Sequence, residues 1–210
     1  MQEGIKIAII ALPSPNSKLY IPVLNYLTKR GTSLPPLNKR ELYIKAKQDT
    51  IIFSRGWDIP ILVKNGIADL GVTGIDVVAE LSPEIKICER WSVRRSRIVI
   101  AARKNMNNFY NGEKIIATEY PRLTKNYLES KGIQAKLIPI RGSVESVGGI
   151  EEIWGIVTLV TSGETLRKNN LIEIETLMET DACLISNPKT NNSSDLFWNA
   201  VRFLKNSDIR

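Results

Sequence analysis

Short apolar runs alternate along this chain with segments in which apolar residues recur every three or four positions. Short apolar runs bounded by Gly, Pro or Asn are typical of buried strands, whereas a spacing of three to four is typical of amphipathic helices. Residues 20–30 illustrate the second pattern, because Val23, Leu24 and Leu27 share one helical face and Gly31 follows as a stop signal. The alternation of the two patterns predicts an α/β fold.

The two patterns also give approximate bounds for the elements. Strands are predicted at residues 5–12, 42–45, 50–54, 70–73, 85–89, 97–102, 114–118, 134–140, 156–160, 171–179 and 182–186. Helices are predicted at residues 20–30, 59–65 (with Asp58 as a candidate cap), 75–81, 122–131, 143–146, 165–169 and 196–206. Residues 105–112 are polar and predict a loop or a weak helix. Phe197, Val201 and Leu204 form an apolar stripe on the last helix, which predicts core packing.

Composition indicates a soluble globular protein, with 43% hydrophobic and 24% charged residues. No apolar run approaches the roughly 20 residues that a membrane span requires. The run at residues 7–12 is too short for the core of a signal peptide. We therefore expect a cytoplasmic protein with no membrane partner. Cys88 and Cys183 lie in apolar, strand-like runs, which favours two buried, reduced thiols over a disulfide.

The chain contains no histidine and carries a formal net charge of +7. The lack of histidine excludes a histidine base, a Ser-His-Asp triad and a histidine-ligated metal. The positive charge is compatible with nucleic-acid binding or with a cleft for a highly phosphorylated small substrate. The tight basic cluster comprises Arg90, Arg94, Arg95 and Arg97, and no nucleic-acid recognition signature accompanies it. We therefore expect no nucleic-acid partner, although charge alone leaves that alternative open.

Residues 156–166 join an apolar run to a helix-like segment through a small, hydroxyl-rich turn. A strand, a tight turn and a helix N-terminus bring free backbone N–H groups and hydroxyls around one point, where the helix dipole also favours an anion. Gly163 lets the backbone approach a ligand closely. We therefore predict a phosphate-binding loop formed by Thr161, Ser162, Gly163, Glu164 and Thr165. The alternative is an ordinary helix start that Ser162 or Thr161 caps.

Three further segments accompany this loop, at residues 66–76 (Gly-Ile-Ala-Asp-Leu-Gly-Val-Thr-Gly-Ile-Asp), 117–124 and 142–145. In this order and at this spacing, the four segments resemble the catalytic chain of ATP phosphoribosyltransferase, the first enzyme of histidine biosynthesis. The resemblance runs from about residue 6 to about residue 187. The Gly-Ile-Ala-Asp-Leu-Gly-Val-Thr-Gly segment and the Thr-Ser-Gly-x-Thr-Leu loop are its most specific parts.

The resemblance implies a two-lobe α/β fold like that of type II periplasmic binding proteins, with the site in the cleft between the lobes. Lobe I would comprise residues 1–94 and 183–210, and lobe II, with the phosphate loop, residues 95–182. The chain resembles the short form of the family, which has no regulatory domain of its own. That form works with a separate regulatory subunit related to histidyl-tRNA synthetase, and we expect a homo-oligomer.

The activity that the resemblance implies is that of a pentosyltransferase. The enzyme joins C1 of the ribose of phosphoribosyl pyrophosphate to N1 of ATP, and pyrophosphate leaves. Mg²⁺ bound to the substrate is the implied cofactor, with no metal site in the protein itself. Arg40 and Arg55 match family arginines suited to pyrophosphate, because a guanidinium makes bidentate contacts with phosphate oxygens. Two solvated surface arginines are the alternative.

Asp76, Thr118 and Glu145 are further candidates for substrate binding. Asp76 follows the turn at residues 71–74 and is expected to face the cleft, whereas Asp69 is expected to brace that turn. Thr118 lies at a strand end and is expected near the cleft. Glu145 is a candidate for contact with the ribose hydroxyls or the adenine side. Its alternative role is to stabilise the dipole of its own helix.

Thr158 and Trp154 stand where family members usually carry two aspartates, the first of which can bind ribose hydroxyls. Thr158 remains a substrate-binding candidate, but a hydroxyl cannot hold two ribose OH groups as strongly as a carboxylate. The loss is on the order of 1–3 kcal/mol. The chain is therefore either a divergent active enzyme or a non-catalytic relative. Such a relative would bind a nucleotide or a phosphosugar as a sensor or regulatory subunit.

Overall fold

The computed structural model describes residues 8–32, 34, 42–46, 49–82, 84–104 and 114–203. Arg40, Leu204 and the polar segment 105–112 lie outside the described residues. The described chain divides into two compact units. Unit 1 contains the described residues up to Arg94 and from Asp181 onward, and unit 2 contains Arg95–Thr180. The sequence prediction put the return to the first lobe at residue 183.

Strands and helices alternate through the described chain, which confirms the predicted α/β class. The strands are β1 (Ile9–Pro13), β2 (Tyr43–Ala46), β3 (Asp49–Ser54), β4 (Leu70–Gly74), β5 (Lys86–Arg103), β6 (Ile115–Thr118), β7 (Lys136–Pro139), β8 (Gly155–Val160) and β9 (Leu171–Ser186). The helices are α1 (Tyr20–Lys29), α2 (Ile59–Lys64), α3 (Ile75–Leu81), α4 (Pro121–Ser130), α5 (Glu164–Lys168) and α6 (Ser193–Phe203). A 3₁₀ helix spans Val144–Val147.

The sheet of unit 1 is built around β1, which is parallel to both β3 and β4. β2 pairs antiparallel with β3, and β9 pairs antiparallel with β4. Strands covered on both faces appear in sequence as continuous apolar runs, and Ile10, Leu12, Leu70 and Val72 are all buried. Residues of α1 and α6 belong to one core cluster of this unit, and residues of α2 and α3 belong to a second.

The sheet of unit 2 places β8 between β5 and β6. β5 pairs antiparallel with β8, whereas β6 is parallel to both β8 and β7. The core cluster of this unit joins residues of β5, β6 and β8 with Val144 of the 3₁₀ helix and Leu166 of α5. The 3₁₀ helix and α5 are therefore anchored to the strand that precedes the predicted phosphate loop.

Two long strands replace four predicted short ones. The strands predicted at 85–89 and 97–102 form the single 18-residue β5, and those predicted at 171–179 and 182–186 form the single 16-residue β9. The polar middle of β5 stays extended, because the N–H groups of Val93 and Arg94 donate to Asp181 Oδ1 at 3.0 and 2.8 Å. Hydrogen bonds, rather than burial of an apolar face, keep this stretch extended. The pattern of hydrophobic residues therefore could not predict that the strand continues through it.

The last helix begins at Ser193, before the predicted start at residue 196. The polar residues ahead of Leu196 indicate a linker by composition, but Ser and Asp are favourable in a first helical turn. Ser193 Oγ donates to the Thr190 carbonyl at 3.0 Å. Phe197 and Val201 are fully buried, as predicted.

Two further predictions concern the thiols and membrane spans. Cys88 and Cys183 are both free, as predicted; Cys183 is buried, also as predicted, whereas Cys88 is only half-buried. Along the part of the chain that the structure covers, no helix has the length and apolar character needed to traverse a bilayer.

Candidate functional site

The predicted phosphate loop follows β8 and leads directly into α5. Gly163 is the N-cap residue of α5 and has a left-handed φ of 73°, a conformation that residues with a side chain disfavour. The alternative of a helix capped by Ser162 or Thr161 is wrong, because no side-chain hydrogen bond caps α5. The Glu164 N–H approaches Ser162 Oγ only at 3.4 Å, which is long for a hydrogen bond.

Backbone N–H groups and hydroxyls converge at this loop. The first N–H groups of a helix have no intrahelical acceptor, and Thr161, Ser162 and Thr165 are exposed beside them. The Thr161 and Ser96 hydroxyls form a hydrogen bond with an oxygen–oxygen distance of 2.9 Å, which fixes the start of the loop to β5. The loop therefore presents uncharged donors of the kind that bind a phosphate group.

Arg167 is a component of this loop that the sequence analysis missed. Its Nη1 donates to the Ser162 carbonyl at 3.0 Å, and a Cβ on Gly163 would lie 3.2 Å from the same nitrogen. Long side chains on a helix point toward its N-terminus and cover the residue four positions earlier. The spacing of Gly163 and Arg167 was therefore an available signal. Glu164, a predicted contact, pairs with Lys168 at 2.8 Å, which leaves Arg167 as an added positive charge.

Glu145 and Thr158 are hydrogen-bonded to each other within unit 2. Thr158 lies in β8, two residues before its end, and is 1% exposed. Glu145 lies in the 3₁₀ helix and is half-buried. The Thr158 hydroxyl donates to Glu145 Oε1 at 3.0 Å. The structure thus brings together two residues that the sequence predicted separately as substrate-binding.

Thr118 is fully buried at the end of β6. Its Oγ1 accepts the Tyr120 N–H at 2.9 Å and lies 2.9 Å from Thr124 Oγ1. The Thr124 hydroxyl donates its one proton to the Tyr120 carbonyl at 2.6 Å, so Thr118 is the donor between the two threonines. The Thr118 hydroxyl therefore holds the start of α4, although the sequence predicted it as a substrate contact.

Trp154, the sequence-predicted departure from the family pattern, is half-buried just before β8. The Lys114 Nζ lies 5.0 Å from the centroid of a Trp154 ring. An ammonium group over an aromatic face is attracted by the negative face of the ring. This position therefore offers an aromatic surface and a cation.

Arg55 opens the turn between β3 and α2 in unit 1, and it is exposed. The Arg55 carbonyl accepts the Asp58 N–H at 2.9 Å, and the Gly56 carbonyl accepts the Thr73 hydroxyl at 2.8 Å. These bonds fix the turn against the end of β4. Asp58 is the N-cap residue of α2, but its side chain makes no capping bond. Among the residues that the structure describes, none forms an ion pair with the Arg55 guanidinium.

Asp76 and Asp69 flank β4 in unit 1. Asp76 is 4% exposed in the first turn of α3, and its carboxylate occupies the space that a Cβ on Gly74 would need. Burial raises the pKa of the neighbouring Cys183 thiol to about 12, and the Asp76 charge adds to the effect. Asp69 Oδ2 accepts the Ile9 N–H at 3.0 Å, so Asp69 has a structural role in joining the start of β4 to β1, whereas the predicted turn at residues 71–74 is part of β4.

The candidates of each unit gather at the carboxyl ends of its parallel strands. In unit 1, β3 ends beside Arg55 and β4 ends two residues before Asp76. In unit 2, β6 ends at Thr118 and β8 ends at the phosphate loop. Open α/β sheets bind ligands at this edge. The fold and these positions define a two-unit α/β ligand-binding protein with a loop suited to a phosphate.

Comparison with known proteins identifies the family. The chain belongs to the ATP phosphoribosyltransferase family, because the family model "HisG: ATP phosphoribosyltransferase" matches residues 55–205. An ATP phosphoribosyltransferase of Methanothermobacter thermautotrophicus is 36% identical over 185 residues, which are 85% of this chain and 64% of that protein. The chain spans about two thirds of the length of this relative and of two further archaeal relatives.

Solved structures agree with this membership. The ATP phosphoribosyl transferase (HisG:HisZ) complex from Thermotoga maritima has a chain with a TM-score of 0.78 and 28% identity, and the match covers 95% of this chain and 97% of that chain. A probable amino-acid ABC transporter extracellular-binding protein of Bacillus subtilis matches with a TM-score of 0.56 and 11% identity, over 96% and 95% of the two chains. This second likeness confirms the predicted binding-protein-like fold.

Proposed function

We propose that this chain transfers the phosphoribosyl group of phosphoribosyl pyrophosphate to N1 of ATP, the first step of histidine biosynthesis. A bond forms between N1 of ATP and C1 of the ribose, the bond from C1 to the pyrophosphate oxygen breaks, and pyrophosphate leaves. The observation that carries the proposal is the loop at residues 161–165, with its left-handed Gly163, in a chain of the ATP phosphoribosyltransferase family.

The described residues suggest a division of roles. The exposed N–H groups and hydroxyls of the loop suit the 5′-phosphate, and Arg167 adds positive charge there. Arg55, which has an exposed guanidinium on a fixed turn, suits the leaving pyrophosphate, and we assign Arg40 the same role from the sequence alone. Positioning and preorganised charge supply most of what this reaction needs, because a cationic ribose carbon develops between two anionic groups.

Mg²⁺ would reach the site on the substrate. Among the described residues there is no group of three or more His, Cys, Asp or Glu side chains arranged to hold a metal ion. Phosphate oxygens together with water are ligands that Mg²⁺ prefers. Bound to pyrophosphate, the ion would neutralise charge on the leaving group. We also propose a cytoplasmic location, a homo-oligomeric assembly and a separate regulatory subunit, with no nucleic-acid partner.

A turnover assay tests the proposal. The purified chain is mixed with ATP, phosphoribosyl pyrophosphate, Mg²⁺ and pyrophosphatase, and phosphoribosyl-ATP is followed by absorbance. We expect turnover in the native chain. Arg55→Ala should lower kcat/KM by about 10- to 100-fold, since a hydrogen bond to a charged group contributes about 1.5–3 kcal/mol. Gly163→Val should abolish turnover, because a β-branched residue does not tolerate the φ of 73°.

Matched variants separate these effects from general damage. Arg202→Ala removes another exposed arginine of unit 1 and should leave turnover unchanged. Gly132→Val places the same side chain at another left-handed glycine, with φ 67°, in open space after α4. It reports the cost of backbone strain away from the loop. Equal kcat/KM in the native chain and in Arg55→Ala would show that Arg55 does not contact the substrate.

A binding protein without catalysis is the second candidate. Two observations favour it: Trp154 and Lys114 form a cation–π pair where the family carries an aspartate, and Thr158 stands in place of the other aspartate. Calorimetry with ATP and with phosphoribosyl pyrophosphate distinguishes the two functions. Binding of either ligand without any turnover would favour the sensor or regulatory role over the enzyme.

A further inference from the structure

Thr158 and Glu145 form a part-buried contact between a hydroxyl and a carboxylate within unit 2. Thr158 is 1% exposed, and its hydroxyl donates to Glu145 Oε1 at 3.0 Å. Burial by itself explains why the Thr158 hydroxyl makes a hydrogen bond, because a buried hydroxyl needs a partner. The partner is informative, because it is a carboxylate from a different element, the 3₁₀ helix.

The hydrogen bond restrains one oxygen of the carboxylate and leaves the other for a ligand. Among the described residues, Thr158 is the one that donates to the Glu145 side chain, and it does so at Oε1. Glu145 is half-buried rather than buried, so its side chain is not closed off from a small molecule. A carboxylate with one oxygen tied to a rigid strand has lost much of its rotational freedom before any ligand arrives.

The distance along β8 fits the length of a ribose phosphate. Thr158 precedes the strand end at Val160 by two residues, and the phosphate loop follows at once. Two residues of a strand span about 7 Å. A ribose 5-phosphate that binds its phosphate in the loop and lies along β8 would therefore bring its ribose hydroxyls level with Thr158 and Glu145. The 3₁₀ helix is held over this part of β8, because Val144 and Val160 belong to one core cluster.

We propose that Thr158 is a positioning residue that orients the Glu145 carboxylate toward the ribose hydroxyls of the bound phosphoribosyl group. The chain thereby recognises ribose through a hydroxyl and carboxylate pair, although it lacks the family aspartate at residue 158. This inference rests on the proposed function for the identity of the substrate. It names ribose 5-phosphate compounds, rather than 2-deoxyribose 5-phosphate compounds, as the ligand class of unit 2.

Equilibrium binding tests this role without requiring turnover. The probes are ribose 5-phosphate, 2-deoxyribose 5-phosphate and inorganic phosphate, each titrated into the full chain by calorimetry. The native chain should prefer the ribose compound by about tenfold or more, because a site built for a hydroxyl disfavours an analogue that lacks it. Thr158→Val, which keeps the shape but removes the hydroxyl, should reduce that preference to within about threefold. The affinity for inorganic phosphate should not change.

Two further variants keep the test decisive. Thr158→Ser retains the hydroxyl and should retain the ribose preference. Glu145→Gln should lose the preference, and adding Thr158→Val to it should cause no further loss, because both changes act through the same carboxylate. Should Thr158→Val fail to fold, Glu145→Gln still shows whether this carboxylate binds the ribose hydroxyls. Thr158→Ala then removes the Thr158 hydroxyl with a smaller side chain than valine.

The outcomes separate this inference from the proposed reaction. A native chain without ribose preference, or a Thr158→Val variant with full preference, would overturn the inference. An equal fall in ribose 5-phosphate and inorganic phosphate affinity would assign Thr158 a structural role instead. In the turnover assay, Thr158→Val should raise KM for phosphoribosyl pyrophosphate while KM for ATP stays the same. A ribose preference without any turnover would contradict the proposed reaction and still support the positioning role of Thr158.

Discussion

Glu89 shows how a single carboxylate can hold several aromatic side chains in place. Its two oxygens accept the indole N–H groups of Trp91 and Trp198, each at 2.9 Å. Burial raises the pKa of Glu89, but hydrogen bonds from these indoles and from Ser194, with the charge of Arg30, outweigh it and lower the pKa below the ordinary value. The charged carboxylate therefore stabilises the folded chain where β5 meets α6.

This pKa shift predicts a pH dependence of stability. Because the folded-state pKa is lowered, the stabilisation is complete above the ordinary glutamate pKa of about 4.3. It is lost as pH falls from there through the lower folded-state pKa. Glu89→Gln should remove this part of the dependence, so the two chains should converge in unfolding free energy as the medium is acidified. Denaturant titrations from pH 7 to pH 3 measure the difference, and a constant difference across that range would contradict the assignment.

At the scale of elements, the contact between β4 and α2 depends on a missing side chain. A Cβ on Gly71 would lie 2.5 Å from Ile59 Cγ2 and 3.0 Å from Val63 Cγ2, both on α2. Gly71 therefore lets the helix approach the strand closely. The same helix begins just after the Arg55 turn, so this contact also supports the position of a candidate site residue.

Gly71→Ala should lower the free energy of unfolding by about 1–3 kcal/mol, because added volume in a packed core forces neighbouring side chains and backbone to move. Gly149→Ala is the matched control, since a Cβ there would meet no atom within 4 Å. We expect its effect to stay within about 0.5 kcal/mol. Thermal or urea unfolding measures both variants. Equal stability of the two would show that β4 and α2 can separate at little cost.

For the whole molecule, the main feature is that the chain crosses between its two units twice. The chain leaves unit 1 within β5 and returns to it within β9, so unit 1 is discontinuous in sequence. A chain of the Thermotoga maritima HisG:HisZ complex matches this chain over 95% of its length. The separate regulatory subunit proposed above would leave feedback control to a second protein.

If a separate subunit carries the histidine site, histidine should inhibit the purified chain only weakly. Allosteric inhibition needs a second site whose occupancy changes the first, and we assign that second site to the regulatory subunit. The measurement is turnover against histidine concentration, with arginine as the control amino acid. Strong, specific inhibition of the lone chain by histidine would place the regulatory site within this chain and exclude the proposed division of labour.

Much of the architecture was predictable because local patterns carry it. The apolar runs of β1, β3, β4, β6 and β8 are buried strands, and the spacing of apolar residues in α1, α2 and α4 gave bounds within about two residues. The predictions that were wrong fall where hydrogen bonds replace hydrophobic burial. The polar middle of β5, tied to Asp181, and the first turn of α6 are the main cases.

For the candidate site, the sequence by itself determined the turn at the predicted phosphate loop and indicated the family, because the turn chemistry around Gly163 is local and each of the four motifs is a contiguous segment. Only the tertiary structure decided which candidates meet. It paired Glu145 with Thr158 and joined Thr161, at the start of the loop, to Ser96 of β5. The physical reason is that a side-chain hydrogen bond between distant residues depends on how strands and helices pack, which no local pattern encodes.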